Sequence, residues 1–159
     1  MNARTEPDLT VRKTVTVQAP LAVAFEVFTS RMARWWPMAS HHIGQSDCAD
    51  VVVEPRAGGR WFERGVDGVE CPWGEVLAWQ PLERVLLAWR LNAQWQFDPA
   101  FLNEIEVRFV AVDAKTTRVE LEHRGLEAFG EQAAQMRDVL GSANGWGGML
   151  DHYAEVAAR

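Results

Sequence analysis

The chain has 159 residues, 48% hydrophobic and 24% charged, with a net charge of −6. That is the make-up of one globular domain, and no apolar run approaches the ~20 residues of a membrane span. The acidic balance argues against nucleic acid as a partner, because phosphate binding draws on clustered Lys and Arg.

Residues 1–8 are polar and expected to be disordered, which leaves a single domain over 9–159. Residues 9–17 alternate Leu9, Val11, Lys13, Val15 and Val17 against threonines and Arg12, the pattern of a half-buried strand. A helix is predicted next, with Pro20 in its first turn and Val23, Phe25, Val27 and Phe28 as apolar positions. A second short helix carries Trp35 and Trp36 and ends at Pro37, and residues 38–50 form a loop.

From Val51 onward the pattern is strand and turn. Strands are predicted at Val51–Pro55, Arg60–Arg64, Val69–Gln80 and Arg84–Leu91, and a looser segment follows over 92–101. Two strongly alternating strands come next. One sets Ile105, Val107 and Phe109 against Glu104, Glu106 and Arg108; the other sets Val119, Leu121 and His123 against Arg118, Glu120, Glu122 and Arg124. Clean alternation means an antiparallel sheet with one wet face. A long C-terminal helix starts near Glu131 and is the one element able to cover the apolar face.

That helix contains SANGWGGMLD, residues 142–151, and each interior glycine costs a helix about 1 kcal/mol relative to alanine. Two readings stand. The glycines leave room beneath a continuous helix, with Trp146 and Met149 as cavity wall, so that Gly147→Leu or Gly148→Leu fills a void. Alternatively, Asn144-Gly145 is a turn that breaks the helix.

Eight tryptophans against one tyrosine is the unusual figure. Trp is large and apolar with a single donor, suited to lining cavities as well as filling cores. Trp36, Trp61, Trp73, Trp79, Trp89 and Trp146 are candidates to line a space between sheet and helix, and Trp95 to form a mobile rim. Glu63 and Glu75 lie within apolar strands; one facing inward is a polar anchor for a ligand, one facing outward a member of a surface ion pair. Alternation sends His123 inward, as a satisfied core histidine or a ligand donor. His41, His42, Cys48 and Cys71 match no compact metal-ligand spacing, so neither metal nor cofactor is expected. No G-x-S-x-G elbow, P-loop or dinucleotide fingerprint is present. Two cysteines make no disulfide framework and the N-terminus has no apolar stretch, so a cytoplasmic setting is expected.

The motifs VTVQAPLAVAFEVFT followed by WW, VEPRAGGRWFE, WGEVLAWQPLERVLLAW and TRVELEHRGLE occur in this order. Together they resemble the START-like superfamily, also called Bet v 1-like or SRPBCC. Within it they are most similar to the branch related to the C-terminal domain of the activator of the ninety-kilodalton heat-shock-protein ATPase. The resemblance implies an α+β helix-grip fold: a curved antiparallel sheet of about seven strands around a C-terminal helix, with an apolar cavity between them. It implies a small apolar or aromatic ligand in that cavity. The alternative it offers is a protein-interaction module working with a heat-shock chaperone. A third possibility is a cyclase or hydratase, which needs a titratable pair inside the cavity.

Overall fold

In the computed structural model, which describes residues 9–159, the chain runs β1 (Val11–Val17), α1 (Leu21–Phe28), a 3-10 turn (Met32–Arg34), β2 (Cys48–Val53), β3 (Arg60–Gly65), β4 (Glu70–Gln80), β5 (Arg84–Trp89), β6 (Asn103–Asp113) and β7 (Thr116–Arg124). A 3-10 segment (Leu126–Gln132), α2 (Ala133–Gly141) and α3 (Trp146–Ala157) complete it. The polar tail 1–8 lies outside the described residues.

All seven strands form one antiparallel sheet in the order β1-β7-β6-β5-β4-β3-β2. From β2 to β7 each strand pairs with its sequence neighbour. β1 then closes the far edge against β7, with Val15 opposite Val119. The alternation in β6 and β7 comes out as expected: Ile105, Val107, Phe109, Val119, Leu121 and His123 all face the buried side. The outward face is less wet than expected at Glu106, which is 7% exposed because Arg84, Arg108 and Arg124 converge on its carboxylate. Burial raises the pKa of this carboxyl, but the hydrogen bonds from Arg84 and Arg124 and the charge of Arg108 outweigh that and bring it to about 2.

Curvature comes from irregular pairing. Trp61 pairs with Gly74 and Phe62 with Pro72, so Trp73 is an extra residue in β4; a second shift falls between Val76 and Ala78. β4 and β5 approach so closely that a Cβ on Gly74 would lie 1.7 Å from the Ala88 carbonyl oxygen.

The concave side is filled by α1, the Trp35 segment and α3. Phe28 meets Tyr153 edge-on at 5.2 Å and Trp35, tilted at 40°, at 5.0 Å. The Tyr153 hydroxyl donates to the Ala24 carbonyl at 2.7 Å and ties α3 to α1, and burial pushes its pKa up. Trp35 Nε1 donates to the Val27 carbonyl at 2.9 Å; the second predicted helix is a single 3-10 turn, Met32–Arg34, with Trp35 and Trp36 beyond its end.

The C-terminal helical segment is broken, not continuous: residues 142–145 turn the chain between α2 and α3. The reading in which glycine leaves empty volume beneath the helix fails at Gly148. A Cβ there would stand 1.9 Å from the Ala143 carbonyl oxygen, so this glycine permits a close approach within the turn.

Candidate functional site

A cavity of about 350 Å³ opens where the break between α2 and α3 faces the end of the sheet. Trp73 on β4 and Trp89 on β5 form its floor, with Leu91 and Trp95 beyond them. Val139, Leu140, Asn144, Gly145, Trp146 and Met149 make the helical wall; Trp36 and Ser40–Ile43 make the opposite wall. Five of the eight tryptophans line it. The Trp36 ring lies 4.8 Å from Trp73 at 41° and 6.0 Å from Trp146 at 77°. Flat apolar surfaces set at several angles around one volume suit a flat apolar molecule.

Two buried polar groups hold these walls. Glu63 is 1% exposed, and its carboxylate accepts the backbone N–H of Ile43 at 2.6 Å, that of Gly44 at 3.1 Å and Trp73 Nε1–H at 2.8 Å. It pins the 38–47 loop to the sheet and orients a floor indole. His123, fully buried, accepts Trp146 Nε1–H at Nδ1 (3.1 Å). Its Nε2–H therefore donates to Asn103 Oδ1, at 2.6 Å. Burial pushes the pKa of this imidazole down to about 3, so it is neutral. Trp146 is thereby fixed at the first turn of α3.

At the mouth one contact joins residues far apart in sequence. His41 Nε2 donates to the Asn144 carbonyl at 2.5 Å, and its Nδ1 faces Ser40 Oγ at 2.7 Å. Trp95 stands at the rim, 42% exposed, with φ of 59°, a backbone region bulky side chains rarely adopt. The Asn92 carbonyl and side-chain oxygen hold that turn by accepting from Trp95, Gln94 and Gln96.

Of the residues singled out in the sequence, Trp36, Trp73, Trp89, Trp95, Trp146 and Met149 meet around one volume. Trp61, Glu63 and His123 stand behind that lining: Trp61 is fully buried, 5.4 Å from Trp73 and 5.7 Å from Trp89. Two lie elsewhere. Glu75 is on the outer face, where Arg90 grips it at 2.6 Å. Trp79 packs edge-on against Phe25 at 5.2 Å, under α1. Sequence reasoning passed over Ser40, His41 and His42 as site residues, having weighed the histidines only as metal ligands. Among the described residues, no group of three or more His, Cys, Asp or Glu is placed to hold a metal ion.

A curled seven-stranded antiparallel sheet gripping a C-terminal helical segment defines the helix-grip, START-like (SRPBCC) class. Residues 18–158 match the family described as Activator of Hsp90 ATPase homolog 1-like protein, and the chain belongs to that family. Among solved structures it is similar to an anthrahydroquino-γ-pyrone synthase, Txn09, complexed with SUM. The two are 40% identical, with 92% of this chain and 96% of that one covered and a TM-score of 0.66. It is also similar to CalC, a self-sacrificing resistance protein from Micromonospora echinospora, at 30% identity, 93% coverage of each chain and TM-score 0.69. The Aha1 dimer from Colwellia psychrerythraea shares the fold at 13% identity, 94% and 96% coverage and TM-score 0.61. No curated protein matches the chain. No helix among the described residues is long and apolar enough to cross a membrane.

Proposed function

We propose that the protein binds a flat, fused-ring aromatic molecule in the tryptophan-walled cavity. The observation that carries this reading is the convergence of five indoles from β4, β5, α3 and two loops on one volume. At about 350 Å³ the cavity falls at the small end of the ~300–1,000 Å³ usual for ligand pockets, and suits a ring system of roughly three fused six-membered rings. The 40% identical relative is by its name a synthase of an anthrahydroquino-γ-pyrone, which supports a fused-ring ligand here. The ligand's polar edge would meet Ser40, His41 and His42 at the mouth, and its apolar body the indoles. Titration with dihydroxyanthraquinone, read by tryptophan fluorescence, tests the reading. Saturable quenching in the micromolar range supports it; no saturation up to millimolar concentration contradicts it.

The family match keeps a second reading in view, a protein-interaction role beside a heat-shock chaperone. Its working surface would be outside the cavity. Stimulation of the chaperone's ATPase by this protein, undiminished in a Trp36→Ala variant that has lost quenching, would favour it over the first.

A further inference from the structure

We infer that His42 is a general base in the cavity, so that the ligand is an aromatic carbon or oxygen acid which the protein deprotonates. This deepens the binding reading and rests on it.

The tautomer follows from the partners. His42 Nδ1 lies 3.0 Å from the Gly44 carbonyl, which can only accept, so Nδ1 carries the proton. Nε2 then holds a lone pair, and no protein group among the described residues hydrogen-bonds to it. The side chain lines the cavity and is 21% exposed, and its Nδ1 edge lies 3.9 Å from the buried Glu63 carboxylate. A proton taken up on Nε2 lies on a ring whose other edge faces the Glu63 carboxylate, the arrangement of a base oriented by an acidic partner. Glu63 also sets the position of His42, because its carboxylate holds the next two backbone N–H groups, those of Ile43 and Gly44.

The other candidates are occupied. Both nitrogens of His41 are engaged, by Asn144 and Ser40. Both nitrogens of His123 are engaged, by Trp146 and Asn103. Burial and the Glu63 charge raise the pKa of the Cys48 and Cys71 thiols, which keeps them protonated.

Nitrobenzisoxazole, a flat bicyclic carbon acid, tests the inference without knowledge of the natural ligand. His42 Nε2 would take the ring C–H proton. The C–H electron pair forms the nitrile and the N–O bond breaks. Its pair leaves on oxygen as the coloured nitrocyanophenolate, and the imidazolium returns its proton to solvent. The expected rate saturates with probe and exceeds that of imidazole at equal concentration by ~10²-fold or more. It falls to the imidazole level in His42→Gln and His42→Phe, and persists in His152→Gln, whose ring contacts the Trp35 carbonyl at 2.9 Å. Circular dichroism checks that each variant is folded. An excess rate that survives both His42 substitutions overturns the inference. Tryptophan quenching by the probe without turnover also overturns it and leaves the binding reading standing; absence of turnover together with no saturable quenching by dihydroxyanthraquinone overturns both.

Discussion

The indole N–H of Trp146 donates to Nδ1 of His123 across 3.1 Å, and this bond joins the wall of the cavity to the sheet. It exists only while the imidazole is neutral, since a proton on Nδ1 would face the donor. The folded pKa of about 3 lies below the ordinary 6.5, so the unfolded chain binds more protons as the pH falls through that window. Stability is therefore fully present above pH 6.5 and is lost on acidification toward pH 3, at up to about 1.4 kcal/mol per pH unit. Glu106 adds to the loss below its ordinary 4.5, down to about 2. Urea midpoints measured between about pH 7 and about pH 5 should fall in the wild type and fall less steeply in His123→Gln. Equal slopes would mean that His123 is not the titrating group.

Glu63→Gln should release the 38–47 loop. The carboxylate offers acceptors to three N–H groups, whereas an amide has one oxygen and sets an NH₂ group against a backbone N–H. Hydrogen bonds to a charged group are worth ~1.5–3 kcal/mol, and a loss of that order is expected. Amide hydrogen exchange checks it: protection at Ile43 and Gly44 should drop while β6 and β7 stay protected.

Gly148→Ala should destabilise the fold, although alanine is the better helix former. The added Cβ meets the Ala143 carbonyl oxygen at 1.9 Å, and backbone must move to admit it. Overpacking of this kind costs ~1–3 kcal/mol, so thermal unfolding should shift down by several degrees. A rise in Tm would revive the reading in which glycine leaves a void.

Trp95→Ala should leave stability within about 0.5 kcal/mol of wild type, because the side chain is 42% exposed and its backbone is strained. Its ring still covers the mouth, 6.3 Å from Trp89. Stopped-flow dissociation of dihydroxyanthraquinone should become roughly tenfold faster, as expected for a rim that slows exit.

The parts of this fold legible in the sequence are those written in short periods. Ile105, Val107 and Phe109 alternate with charge, and their burial follows from that alone. The site is harder to see, because it depends on register and on distant contacts. Strict alternation from Trp73 would turn Glu75 inward, but the extra residue at Trp73 reverses the phase and sends Glu75 out to Arg90. Trp73 and Trp79 read as equivalent, yet six residues of strand, at ~3.3 Å each, carry them to opposite ends of the sheet. His42 sits in an aperiodic loop, and nothing local says that Glu63, on a strand 21 positions away, will fold that loop against the cavity.

The most direct test is the set of indole N–H resonances in a nitrogen-15 spectrum, followed through a titration with dihydroxyanthraquinone. The expected result is that the signals of Trp36, Trp73, Trp89, Trp95 and Trp146 move together and saturate at one affinity, while Trp79, packed on Phe25 under α1, stays where it is. No movement at the five, or movement confined to Trp79, would contradict the assignment of the ligand to this cavity.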